Sequence, residues 1–166
     1  GKKSYRYRKT DENGKQTTLR KVSMQYGLAD EQWDYIMVQQ VSGFSGVYAS
    51  FERFLPEYMQ RLRNEVSSKT KFLVMQTWAY QSNSEHASFS IYNYDQNAMY
   101  KAVTKCYLKV FKDKRYGFYA LVPNGTAIQN GRTYFGDTLT RDGYHLDKRV
   151  GRYLGACTMC EVLLGK

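Results

Sequence analysis

The spacing of apolar positions along the chain shifts between two periods, about two residues where a strand is predicted and about 3.6 where a helix is. Near the start, SYRYRKTDENGKQTTLRKV is a pair of polar alternating runs around Asp11-Glu12-Asn13-Gly14. Asn13-Gly14 is a turn signal, so an exposed hairpin is predicted. Val22 to Gln32 follows as a short helical candidate, and the mostly apolar run Asp34 to Gln40, DYIMVQQ, suits a buried strand. Beyond the loop VSGFSG, Phe51, Phe54, Leu55, Tyr58, Leu62 and Val66 recur at helical spacing and predict an amphipathic helix over about Ser50 to Ser67. KFLVMQTW is the next strand, then a polar loop runs from Ala79 to Ser90, and Met99, Val103, Cys106 and Val110 mark a second long helix. YGFYALV, Tyr116 to Val122, is a third buried strand, and the last helix runs from about Leu146 to Leu164.

Strand and helix therefore alternate, with crossovers long enough for parallel neighbours, which is the pattern of a three-layer α/β sheet. At 166 residues the chain fits a single domain, 1–166. Sites in such folds lie beyond the carboxyl ends of the strands. That rule selects three loops: Gln39 to Ser45, Thr77 to His86, and Pro123 to His145.

Bulk properties remove several classes of function. No apolar run is long enough to span a bilayer, and the opening GKKSYRYRKT offers no signal-peptide core. The net charge of +10 raises the question of nucleic acid. The basic residues are spread over Lys2 to Lys9, Arg61 and Arg63, Lys101 to Arg115 and Arg141 to Arg152, mostly with acids between them, and no nucleic-acid motif accompanies them. A solvated surface is the expectation, with no nucleic-acid partner. Cys106, Cys157 and Cys160 are odd in number. The CxxC at Cys157 sits in GRYLGACTMCEVLL, whose period places both sulfurs with Tyr153, Leu154 and Leu164, so buried free thiols are expected. A zinc site would need two further ligands, and no second CxxC or nearby His pair supplies them. No metal or cofactor is implied.

The most specific signal is Asp142-Gly143-Tyr144-His145, just before the terminal helix. A DxxH spacing lets one tight turn bring a carboxylate to an imidazole, fixing its tautomer and stabilising its cation. Spacing alone leaves a second reading open, an N-capping Asp beside a surface His. His86 and His145 are the only histidines, so few groups can act as a base near neutral pH.

TLTRDGYHLDKRVGRYLGACTMCEVLLG resembles the closing block of SGNH (GDSL-like) hydrolases, in which the Asp and His of a DxxH motif precede the final helix. WDYIMVQQVSGFSGVY, TWAYQSNSEH, YDQNAMY and NGTAIQNGRTYFGDTLTRDGYH resemble a bacterial branch of that superfamily catalogued mainly as a domain of unknown function. The resemblance covers essentially the whole chain. It implies ester hydrolysis on a flavodoxin-like α/β/α sheet, with His145 as general base, Asp142 as its orienting partner, and no cofactor. It also implies an oxyanion donor after a central strand, for which Gln40 is best placed and Gln39 second; such a donor contributes about 3 to 4 kcal/mol to transition-state stabilisation. Hydrogen bonding at a strand end is the structural alternative for that pair.

One family block is missing. The Gly-Asn-Ser or Gly-Asp-Ser segment that supplies the nucleophile, and a following block with a glycine, do not occur, so the domain is expected to be N-terminally incomplete and its serine to lie outside this chain, on an upstream segment or a separate chain. Within the chain, Ser45 in Gly43-Phe44-Ser45-Gly46 sits between a strand and a helix as a nucleophile elbow does. Val47 replaces the second glycine of GxSxG, so Ser45 is read chiefly as a substrate-loop residue. Trp78, Tyr80, His86, Tyr92 and Tyr94 crowd one loop, and flat amphipathic rings suit sugar faces or acyl groups. Trp78, Tyr80 and His86 are taken as substrate-binding candidates, and sixteen Tyr against eight Phe favour a wet site for a small-molecule or glycan ester. The competing expectation is a carbohydrate-binding module that keeps the pocket without catalysis. The resemblance further implies an extracytoplasmic bacterial setting.

Overall fold

The computed structural model describes residues 2–165. Its elements alternate as a mixed α/β chain, and packing groups them into two compact units: one of residues 1–35 with 57–70, the other of 36–56 with 71–166.

The first unit opens with the predicted hairpin, strands β1 (Tyr5–Thr10) and β2 (Gln16–Val22), paired antiparallel. Asp11 closes the five-residue connection: its Oδ1 accepts hydrogen bonds from Asn13 N at 3.0 Å and Lys15 N at 2.9 Å. Helix α1 covers only Met24–Leu28, capped by Ser23, so the helical segment expected over Val22 to Gln32 is cut to little more than a turn.

The second unit holds a three-stranded parallel sheet in the order β3 (Tyr35–Val38, whose first residue belongs to the other unit), β4 (Lys71–Met75), β5 (Ala120–Val122). Phe72, Leu73 and Val74 are all buried, as a central strand covered on both faces requires. β5 is shorter than the run Tyr116 to Val122, because Gly117 takes φ +60° and turns the chain before the ladder begins. Helix α2 (Tyr48–Glu65) lies within two residues of its predicted limits and α3 (Gln96–Lys112) buries the predicted Met99, Val103, Cys106 and Val110. α2 contains Pro56, the last residue it gives to the second unit.

Helix α4 (Asn124–Phe135) occupies ground the sequence pattern assigned to a loop. Its buried positions are Asn124, Gly125, Ile128, Gly131 and Arg132, a stripe at helical spacing carried by small and polar residues. Gly125 must be glycine, since a Cβ there would stand 2.1 Å from the carbonyl oxygen of Thr77. Helix α5 (Val150–Leu164) starts four residues later than expected and buries Gly151 and Gly155, so it approaches its neighbours through bare backbone. That orientation corrects the thiol expectation. Cys106 is buried on α3, but Cys157 and Cys160 are exposed, on the outer side with Tyr153 and Leu164. Among the described residues no helix is long and apolar enough to cross a membrane.

Candidate functional site

Leu139 to Asp147 forms a closed loop between α4 and α5. An isolated antiparallel bridge pairs Thr140 with Leu146, Arg141 N donates to His145 O at 2.9 Å, and Asp147 N to Leu139 O at 3.0 Å. At its tip Gly143 takes φ +85°, the left-handed conformation that the sharp reversal between Asp142 and His145 demands. The reversal brings the two side chains together: His145 Nδ1 lies 2.8 Å from Asp142 Oδ2, while Asp142 Oδ1 accepts from His145 N at 2.8 Å.

Two aspartates flank this turn and divide two jobs between them. Asp147 caps α5, its Oδ1 accepting from Arg149 N and Val150 N and its Oδ2 from Gly151 N at 2.6 Å. Asp147 thus serves the start of α5, while Asp142 serves its own turn through Oδ1 and the imidazole through Oδ2, which Arg141 Nε also approaches at 3.4 Å. Desolvation pushes the Asp142 carboxyl upward, but the hydrogen bonds from His145 and Tyr144 outweigh it and hold the group well below the usual carboxylate range. An ionised Asp142 on Nδ1 makes that nitrogen the N–H donor, so in neutral His145 the lone pair sits on Nε2. The His145 side chain is half exposed, and no described residue bonds Nε2.

The loop after β4 holds this turn in place. Trp78 Nε1 donates to Tyr144 O at 2.7 Å, Gln81 N to Gly143 O at 2.8 Å, and Thr140 Oγ1 to Gln81 Oε1 at 2.5 Å. A train of rings runs alongside, with centroids 4.8 Å apart for Tyr80 and His86, 4.6 Å for His86 and Tyr144, and 4.2 Å for Tyr144 and His145. Beneath it lies an ion pair between a buried arginine and a partly exposed aspartate. Arg132 of α4 meets Asp137 at 2.9 Å and donates to Ala79 O at 2.9 Å; Asp137 in turn accepts from Ser82 N at 2.8 Å and Gln96 Nε2 at 3.0 Å. Burial lowers the Arg132 guanidinium against the pull of Asp137, and hydrogen bonds from Ser82 and Gln96 overcome burial to keep Asp137 below its ordinary value. Neither residue was singled out in the sequence, although Arg132 and Asp137 are the only charges between Asn124 and Thr140.

Beside Asp142 opens a polar cleft of about 340 Å³, lined by Gln81, Asn83, Ser84, Glu85 and the backbone and side chains from Thr140 to Gly143. Among the described residues no three His, Cys, Asp or Glu side chains converge as a metal cage requires.

The remaining candidates divide. His86 is half-buried, and its Nδ1 accepts from Ser88 N at 3.2 Å, which leaves the proton of the neutral ring on Nε2. Trp78 is half-buried and packs against Ile128, Leu139 and Leu146. Tyr80 is fully buried, its hydroxyl 2.9 Å from Ser42 Oγ, so it supports the ring train from behind and does not face a substrate. Ser45 is also fully buried; its Oγ donates to Val41 O at 3.1 Å and accepts from Thr77 Oγ1 at 2.6 Å. That corrects its assignment to a substrate loop, since no ligand atom can reach the hydroxyl. Gln40 ties its loop to the start of α2, donating through Nε2 to Ser50 Oγ at 3.0 Å while its Oε1 accepts from Val41 N at 2.8 Å, which leaves one amide N–H uncommitted. Gln39 is exposed.

Among solved structures, the crystal structure of a DUF4886 family protein from Bacteroides uniformis ATCC 8492 matches with a TM-score of 0.94 at 42% identity, over 99% of this chain and 63% of that one. The present chain thus spans less than two thirds of that protein's length. A candidate SGNH hydrolase from Slackia heliotrinireducens matches with a TM-score of 0.63 at 18% identity, over 84% of this chain and 70% of that one, a likeness of fold alone. No match was found among curated proteins. Residues 1–166 match the domain of unknown function DUF4886 from end to end, and the chain belongs to that family.

Proposed function

We propose that this domain is the base-bearing part of an SGNH-type ester hydrolase, built on the C-terminal part of a flavodoxin-like three-layer sheet and completed by a nucleophilic serine from outside these 166 residues. The observation that carries the reading is the 2.8 Å contact between Asp142 and His145 Nδ1, made while a second aspartate, Asp147, caps the helix. In this reading His145 Nε2 removes the serine proton as the hydroxyl attacks the ester carbonyl. The imidazolium, stabilised by Asp142, returns that proton to the departing alkoxide, and the same base then activates water to release the acid. Gln40 is the proposed oxyanion donor through its uncommitted N–H, with Gln39 as the second choice.

The cleft beside Asp142 favours a polyhydroxylated substrate, since its lining of amides, hydroxyls and charged side chains suits sugar hydroxyls better than a long acyl chain. A carbohydrate ester is the proposed class, with His86 Nε2–H a further donor on the ring wall. The test is kinetic, in the natural polypeptide that contains this domain, with an acetylated oligosaccharide as substrate. His145→Ala and Asp142→Asn should each lower kcat by about a thousandfold or more. Gln40→Ala should lower kcat about a hundredfold with KM largely unchanged. Oligosaccharide binding without hydrolysis by the unsubstituted protein would instead establish a non-catalytic carbohydrate-binding module.

A further inference from the structure

The two faces of the N-terminal hairpin treat their charges differently. In the ladder Arg6 pairs with Arg20, Tyr7 with Leu19, Arg8 with Thr18 and Lys9 with Thr17. Because side chains alternate, Tyr7 and Lys9 share one face and Arg6, Arg8 and Arg20 the other. The first face is satisfied within the unit. Lys9 Nζ is bonded by Asp30 at 2.6 Å and by Glu31, Tyr7 OH donates to Asp30 at 2.9 Å, and the Tyr7 ring meets Tyr26 edge-on at 5.8 Å. On the second face all three arginines are exposed, and among the described residues none has an acidic partner within ion-pair distance.

That arrangement costs stability. Like charges directly opposite each other across a ladder repel, and Arg6 and Arg20 are so placed, with Cα atoms about 5 Å apart. Arg8 stands about 7 Å further along the same strand. A fourth basic residue, Lys21, is the extra residue where the register shifts, in the left-handed conformation at φ +56°. The neighbours of the arginines on this face are Thr10, Gln16 and Thr18, and it carries no aromatic ring.

We infer that the Arg6, Arg8 and Arg20 face of the hairpin is a docking surface for an extended anionic polysaccharide bearing carboxylates. Three guanidiniums in a row offer forked donors matched to carboxylate oxygens, and the hydroxyl and amide side chains between them offer partners for sugar hydroxyls. A single-stranded nucleic acid would want aromatic platforms interleaved with the charges, and Tyr7 is on the opposite face, turned against Tyr26. This surface is independent of the proposed hydrolase chemistry, and it assigns a task to part of a net charge of +10 that the sequence pattern left to solvation.

The experiment titrates the full chain with polygalacturonate, poly(dT) and phosphatidylglycerol vesicles at low ionic strength. Arg6→Gln/Arg8→Gln/Arg20→Gln should weaken polygalacturonate binding at least about tenfold, while Lys101→Gln/Lys105→Gln/Lys112→Gln, which removes equal charge from exposed positions of α3, should weaken it less than about threefold. Arg6→Lys/Arg8→Lys/Arg20→Lys keeps the charge and the hairpin and should still lose affinity, because lysine lacks the fork. Equal losses in the two glutamine triples would reduce the effect to overall charge and overturn the proposal. So would full binding by the lysine triple, absence of polygalacturonate binding by the unsubstituted chain, or tighter arginine-dependent binding of poly(dT) or vesicles.

Discussion

The loop from Leu139 to Asp147 and the loop after β3, from Gln39 to Val47, both bond to the segment after β4, and both are rich in polar side chains. They dispose of them in opposite ways. The first spends backbone hydrogen bonds on its own closure and leaves the His145 imidazole half exposed on an ionised Asp142. The second turns its hydroxyls inward, with Ser45 bonded to Thr77 and Val41 and Ser42 to Tyr80, and its glycines are clasped by Tyr92, whose hydroxyl accepts from Gly46 N at 2.9 Å and donates to Gly43 O at 2.9 Å. A hydroxyl at a strand-to-helix junction is thus no guide to reactivity; what matters is which loop keeps a polar atom unspent.

The largest break in this contrast should come from Arg132→Met. It removes the guanidinium that holds Ala79 O and leaves the partly exposed Asp137 carboxylate to Ser82 N and Gln96 alone, so a loss of about 2–3 kcal/mol is expected in denaturant unfolding. Replacing Asp137 with Leu in the same protein should recover part of it. In the other loop Ser45→Ala should cost only about 1–2 kcal/mol, the penalty of leaving the buried Thr77 hydroxyl without its acceptor.

A pH titration sharpens the comparison with a smaller effect. The Asp142, Asp137 and Asp147 carboxyls are all held below their ordinary range in the folded state, so their contribution is complete above the unfolded value of about 4 and is lost as pH falls through the lower folded values. No residue from Gln39 to Val47 titrates in that range. Amide NMR shifts of Thr140 to Asp147 should therefore move on acidification below about pH 4, and those of Gln39 to Val47 should stay put. Asp142→Asn should remove the response at His145 N.

The sequence disclosed these features unequally, and the reason is the range over which each is specified. DxxH is an i, i+3 relation inside one turn, so its contact could be anticipated from four consecutive residues. The hairpin around Asn13-Gly14 and the apolar stripe of α3 are local in the same sense. α4 was hidden because Asn124, Gly125, Gly131 and Arg132 carry its buried stripe, and their burial depends on partners at Thr77, Ala79 and Asp137 far away in the chain. On α5 the apolar spacing misplaces the thiols, because Gly151 and Gly155, with Leu154, face the core, while Cys157, Cys160, Tyr153 and Leu164 lie outside. Tyr80 and Ser45 looked like site residues because they flank strand ends, and only long-range hydrogen bonds reveal them as supports.

The most direct test of the account is labelling by a fluorophosphonate, which reports an assembled nucleophile, base and oxyanion site and ignores merely exposed serines. No stoichiometric labelling of residues 1–166 alone is expected. Labelling and ester hydrolysis are expected from the natural polypeptide that contains this domain, and both should be lost in His145→Ala. Stoichiometric reaction of 1–166 that Ser45→Ala removes, or full hydrolysis by that polypeptide carrying His145→Ala, would contradict the reading.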